Sequence, residues 1–196
     1  MRVVYSVEEV EIPKGVNVTI EKTGPFDYVV KVKGPLGELV KEFRNTPVVM
    51  NIQDGKIVLE VFDARKKEYA ILGTYKGILK NMFLGVTKGW RYKLKIIYTH
   101  FPVLAKVQGS QLVIENFLGR KSKITLDIPK GVKVEVKGKE DIVVEGIDRE
   151  LVGTFAASIQ AATELHGDER PSPHGREGTL GVVDGIYVVG VEHIKA

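Results

Sequence analysis

The chain has 196 residues, enough for one large domain or two small ones at roughly 150 residues per domain. Hydrophobic residues at 43% and charged residues at 28% belong to a folding globular chain and exclude a disordered one. The absence of cysteine excludes disulfides, thiolate zinc sites, iron–sulfur clusters and cysteine nucleophiles, and a net charge of +4 leaves a polyanion partner open without singling it out.

In chain order, the opening MRVVYSVEEVEIP carries acidic residues before any apolar core segment, and no later run approaches the roughly 18 apolar residues of a membrane helix. Neither export nor membrane insertion is expected, and a reducing cytoplasm is the default. The β-branched or alternating runs VNVTI (16–20), YVVKVK (28–33) and IVLEVF (57–62) read as strands. Turn signals at Pro13-Lys14-Gly15, Pro35 to Gly37 and Asp54-Gly55 separate them. Next comes a helical stretch in which Ile71, Tyr75, Ile78 and Met82 recur at spacings of four, three and four, widened by Leu72, Leu79 and Phe83. Asp63 is the expected N-cap and Gly85 the expected left-handed stop.

The grammar then repeats. LKIIY (94–98), LVIE (112–115), KITLDI (123–128), VKVEV (132–136) and IVVEG (142–146) read as strands, with turns at Gly109-Ser110 and Pro129-Lys130-Gly131. A second helix follows, its stripe formed by Leu151, Phe155, Ile159 and Ala162 and its ends marked by Asp148 and Gly167. Residues 32–43 align with 114–125, residues 57–63 with 142–148, and 73–85 with 153–167. The fold class is therefore expected to be α+β. Two tandem similar modules, 1–85 and 86–168, would each pack a mainly antiparallel sheet against one helix. Residues 169–196 would form a C-terminal extension whose last segment, GIYVVGVEHIKA, adds a strand to the second sheet or lies on a partner.

Between Glu68 and Glu115 there is no Asp or Glu, yet the stretch holds Lys76, Lys80, Lys88, Arg91, Lys93, Lys95 and Lys106. A phosphate backbone is a dense line of negative charge, so a protein that docks on it needs cations without carboxylates competing for them. In WRYKLKI the period of two sends Arg91, Lys93 and Lys95 to one face of a strand and Tyr92, Leu94 and Ile96 to the other. Arg120, Lys121 and Lys123 make a second basic cluster, and Arg170, His174 and Arg176 a third. Solvated surface charge is the plainer reading of each. Trp90 and Tyr92 are of a type that stacks on bases, though strand aromatics more often fill a core.

No catalytic site assembles. His100 sits among apolar neighbours as a structural histidine would, and His193 is nearly terminal. Glu164, His166 and Asp168 straddle a helix end with no matching ligand pair elsewhere. Ser158 lacks a G-x-S-x-G elbow. The Gly34-Pro35-Leu36-Gly37 sequence has the GxxG form of an RNA-clamping loop but joins two strands, so a hairpin turn is the better reading. No enzyme, metal or cofactor is expected.

Several segments nonetheless have a family look. NMFLGVTKGWRYKLKIIYTHFP (81–102), ENFLGRK (115–121), DGIYV (184–188) and the opening EEVEIPKGVNVTI resemble the archaeal and eukaryotic branch of the sixth large-subunit ribosomal protein family. The resemblance spans nearly the whole chain. It implies two copies of a small α+β fold and a structural constituent of the cytoplasmic ribosome. Such a protein binds large-subunit ribosomal RNA near the factor-binding centre and stalk base, beside neighbouring large-subunit proteins and translation factors, without catalysis or a membrane. It directs attention to Arg120, Lys121, Lys123 and the tail, because the second module and C-terminal extension carry much of the family's RNA contact. One departure is that Leu180-Gly181-Val182-Val183 precedes Asp184, where the family places basic residues and an aromatic. Rival readings are a protein–protein adaptor working through exposed sheet edges and, more weakly, a small hydrolase or transferase.

Overall fold

The fold is that of a computed structural model, which describes residues 2–99, 101–164 and 184–195. It is α+β, with two helices and antiparallel strands in four sheets among the described residues. The backbone divides into two compact units. One is built around Met1–Gly89, the other around Trp90–Gly146 and the described part of Glu150–Ile194, while Ile147–Arg149 group with the first.

In the first unit the strands are β1 (Arg2–Glu11), β2 (Asn17–Gly24), β3 (Asp27–Gly34), β4 (Gly37–Phe43), β5 (Val49–Gln53) and β6 (Lys56–Arg65), followed by α1 (Lys66–Thr87). They form a β2-β3-β4 sheet and a β1-β6-β5 sheet. Alternation along β3 and β6 buries Val30, Val32, Ile57, Leu59 and Val61, and α1 closes over them with Leu72, Leu79, Phe83 and Val86. Each such side chain contributes about 1.5–3 kcal/mol relative to exposure. Ile71, Tyr75 and Ile78 are only half-buried and flank this stripe. The β5–β6 hairpin turns on Asp54 and Gly55, both at positive φ (49° and 74°), the geometry that lets a two-residue turn follow the strands' twist.

The helix ends are not where the sequence puts them. Asp63 lies inside β6 at φ 43°, and α1 starts only at Lys66, where the Arg65 backbone N–H donates to Glu68 Oε2 at 2.6 Å. Gly85 is buried within the helix, which runs on because Val86 still has core to fill. Gly89, at φ 73°, takes the left-handed position instead, its N–H shared between the Leu84 and Gly85 carbonyls at 3.1 and 3.0 Å.

The second unit holds β7 (Trp90–Ile97), β8 (Leu104–Gln108), β9 (Gln111–Glu115), β10 (Ile124–Asp127), β11 (Val132–Lys137), β12 (Asp141–Gly146), α2 (Arg149–Ala162) and β13 (Gly185–His193). Its sheets run β10-β9-β8 and β11-β12-β7-β13, so the first unit's plan recurs with one strand added outside β7. The α2 stripe is Val152, Phe155, Ala156 and Ile159, while Leu151 and Ala162 are half-buried. Phe155 and Ile159 are common to the expected and the observed stripe, and Val152 in place of Leu151 sits where any Cβ on Gly146 would fall 2.6 Å from its Cγ2. Gly167 lies outside the described residues.

The DGIYV segment is an anchor. Asp184, 1% exposed, accepts the Thr99 N–H at 2.8 Å and its hydroxyl at 2.7 Å. The Ile186 and Val188 N–H groups donate to Thr163 Oγ1 and Gln160 Oε1 on the α2 side. β13 then pairs along β7, with a register shift between Val188 and Gly190.

Candidate nucleic-acid interface

The β7 alternation stands as read: Leu94 and Ile96 are buried, Lys93 and Lys95 exposed and Arg91 half-exposed on the opposite face. The expected freedom from carboxylates does not stand. Strand register sets Glu145 of β12 and Glu192 of β13 on either side of Arg91. Arg91 Nε lies 2.5 Å from Glu145 Oε1 and its Nη1 3.2 Å from Glu192 Oε1; Lys93 Nζ is 2.8 Å from Glu192 Oε2 and Lys95 Nζ 4.0 Å from Glu140 Oε2. Glu145 and then Glu192 raise the Arg91 pKa further, while Lys93 and then Arg91 hold the Glu192 carboxyl below its usual range. Three carboxylates thus answer three cations. The gap between Glu68 and Glu115 is acid-free only along the chain, because strand pairing imports acids from distant segments.

The second cluster sits on a different sheet. Between β9 and β10 the backbone makes a single 3-10 turn at Phe117–Gly119, with Asn116, Leu118 and Gly119 all at positive φ (60°, 54° and 71°). Such values cost a leucine about 1–2 kcal/mol and persist only where the surroundings over-determine them. Here they do: Phe117 is buried, Asn116 Nδ2 donates to the Pro102 carbonyl at 3.0 Å, and the Phe101 ring packs over Gly119. The Arg120 N–H closes the turn on the Phe117 carbonyl at 3.1 Å. Arg120, Lys121 and Lys123 leave this turn exposed.

Lys123 lies 2.8 Å and Lys106 3.0 Å from the same oxygen of Glu115, whose carboxyl is held below its usual range by Lys123 first and Lys106 second. Two cations share one carboxylate, and Lys121 forms no ion pair with a described residue. Among the described residues Lys106, Lys121 and Lys123 thus face one carboxylate, an excess of positive charge that the β7 face lacks.

Lys88 is exposed at the end of α1, where its backbone N–H bonds to the Leu84 carbonyl at 2.7 Å. Arg170, His174 and Arg176 lie outside the described residues, as do His100, His166 and Asp168. Lys130, Lys133, Lys137 and Lys139, which no cluster in the sequence singles out, are exposed along the β11 edge of the four-stranded sheet. Their signal is the alternation in VKVEVK, which marks the strand but not the basic edge it makes.

Other features have structural employment. Trp90 is buried and packs tilted against His193 with ring centres 4.5 Å apart, which removes it as a base-stacking platform. Ser158 Oγ donates to the Phe155 carbonyl at 2.7 Å. The GPLG turn packs on the end of α1, with the Leu36 N–H on the Val86 carbonyl at 2.9 Å. Among the described residues no group of three or more His, Asp and Glu side chains is placed to hold a metal ion, and no helix is long and apolar enough to cross a membrane.

Comparison with known proteins gives this architecture a lineage. The family model for ribosomal protein L6 matches residues 12–89 and 101–168. The chain is 87% identical to the large ribosomal subunit protein uL6 of Pyrobaculum aerophilum over 196 residues, the full length of both. It is 44% identical to that of Sulfurisphaera tokodaii over 195 residues, covering 99% of this chain and 97% of the relative. Against that of Saccharolobus solfataricus it is 46% identical over 171 residues, covering 87% and 91%. With the family model matched twice along a chain of two like units, the chain belongs to the ribosomal protein L6 family in its archaeal form, a structural and non-catalytic component of the ribosome.

Proposed function

We infer that this protein is a structural constituent of the large ribosomal subunit that binds large-subunit ribosomal RNA and stabilises its folded form near the factor-binding centre and stalk base. The observation that carries the reading is the turn at Phe117–Gly119, an anchored left-handed backbone that projects Arg120, Lys121 and Lys123, where among the described residues Lys106 and Lys123 share the one carboxylate of Glu115 and Lys121 forms no ion pair. A rigid presentation lowers the entropy lost on binding, and each phosphate neutralised releases condensed counterions. Recognition is then by backbone and shape, with register fixed by phosphate contacts. Lys88 adds a further cation. Arg170, His174 and Arg176 join the interface on sequence grounds alone. Arg91, Lys93 and Lys95 contribute where phosphates replace the carboxylates they now hold. Large-subunit proteins at the stalk base are the expected neighbours, and translation factors pass within reach.

The test is a titration of a large-subunit RNA fragment at several salt concentrations. With about five phosphates neutralised, log affinity falls against log salt with a slope of roughly −3 to −5. Replacing Arg120, Lys121 and Lys123 by Ala flattens that slope by roughly 2 to 3, while thermal unfolding stays nearly unchanged. Equal RNA affinity in the two proteins would refute the assignment.

A further inference from the structure

The duplication lets each unit serve as a reference for the other. β1, β6 and β5 stand in the order that β7, β12 and β11 take in the second unit, but there β13 runs along the outer edge of β7. Among the described residues no strand covers the corresponding edge of β1. That edge is ten residues long, contains neither Pro nor Lys, and leaves Val4 83%, Tyr5 50% and Val7 42% exposed. Open edges template pairing with other chains, and soluble proteins blunt them with Lys, Pro, bulges or brevity. β1 is blunted by its glutamates at one end and by the irregularity at Asp63 in the neighbouring strand, while its Val4 to Val7 stretch is left open.

The face beside the edge is apolar at one end and acidic at the other. Tyr5 lies beside the exposed Phe62 with ring centres 5.2 Å apart, its hydroxyl donating to Glu60 at 2.7 Å. Farther along the same face stand Glu9 and Glu11. Glu9 is held from the β6 side by Lys56 at 2.8 Å and remains exposed, and Glu11 forms no ion pair with a described residue. In the second unit the covering strand opposes the charge it covers, Glu192 meeting Arg91 and Lys93. On β1 the sign is reversed: Glu9 and Glu11 share the face of Tyr5 and Val7, while Glu8, on the other face, is paired with Lys76 of α1.

We propose that the outer edge of β1 accepts an extended segment of another protein as an added strand, apolar where it passes Tyr5 and Val7 and rich in Lys or Arg where it passes Glu9 and Glu11. Backbone hydrogen bonds supply the pairing and the charges set partner and register. The acidic end disfavours nucleic acid. The inference rests on the ribosomal reading for the particle in which the partner is sought.

The chain has no cysteine, so Val4→Cys gives a single attachment point for a short photo-cross-linker. In large subunits assembled with this variant, the expected result is one cross-linked protein, mapped to a segment that alternates apolar and basic residues. A cross-link to RNA or to a second copy, or none from chain that co-sediments with the subunit, overturns the proposal. Failure to co-sediment counts against the ribosomal reading instead. The isolated full chain then decides, labelled at the same position and titrated with a synthetic peptide alternating lysine with valine and with its glutamate counterpart. The basic peptide is expected to bind about tenfold more tightly, and Glu11→Lys to weaken it about three- to fivefold. Equal affinities, or no binding, overturn it.

Discussion

Glu115 decides how much of the basic cluster in the second unit faces outward. Its carboxylate holds both Lys106 and Lys123, and those two cations keep its pKa below the ordinary value of 4.5. A lowered folded-state pKa means that its contribution to stability is present above the unfolded value and is lost as pH falls through the folded one. Glu115→Gln removes that contribution, so wild type and variant differ in stability at neutral pH and converge in acid once the pH has fallen through the lowered carboxyl pKa. The same substitution frees Lys123 from its competitor. If Lys123 meets phosphate, the variant binds the RNA fragment more tightly at low salt, about two- to fivefold for one added phosphate contact. Urea titrations across pH and filter binding separate the two effects, and weaker binding by the Gln variant would remove Lys123 from the interface.

At the level of elements, Gly34 shows why a loop that looks like a ligand clamp is a packing joint. A Cβ there would lie 2.7 Å from Val86 Cγ2 and 2.9 Å from its carbonyl oxygen, and the carbonyl belongs to helix backbone that has little room to yield. Gly34→Ala is therefore expected to destabilise the first unit by about 2–3 kcal/mol, as overpacking does, and to leave the RNA affinity of the folded protein unchanged. Chemical denaturation and the same binding assay check both halves. Much at this scale was legible in the sequence. The 3.6-residue stripe marked both helices and the period of two marked β3, β6 and β7, because burial on one side of an element leaves a local periodic trace. The helix ends were not, since Glu68 rather than Asp63 satisfies the first turn of α1 and core contacts carry that helix past Gly85. β1 leaves no such periodic trace, because it buries only Val10 deeply and its EE pair breaks the alternation.

For the whole molecule, what stayed hidden is the placement of charge. Net charge and acid-free runs are properties of the chain, whereas the field that meets a polyanion is set by which strands lie side by side. Glu192 follows Arg91 by 101 residues of chain and yet holds both Arg91 and Lys93. Two clusters that look alike in sequence should therefore behave differently. Replacing Arg120, Lys121 and Lys123 by Ala removes, with Arg120, two lysines of a group in which Lys106, Lys121 and Lys123 face one carboxylate among the described residues. Replacing Arg91, Lys93 and Lys95 leaves Glu145, Glu192 and Glu140 without the cations they hold, and Glu145 has only 17% of its side chain exposed. The β7 variant is thus expected to lose stability, because a partly buried carboxylate left without its partner retains its desolvation cost. It should change the salt slope by less than about 1, since a neutralised face releases few counterions when phosphate takes the carboxylates' place. The loop variant should do the reverse. Parallel melts and salt titrations of the two triple variants check the contrast. A β7 variant that melts like wild type while its slope flattens by roughly 3 would move the interface from the turn to the strand.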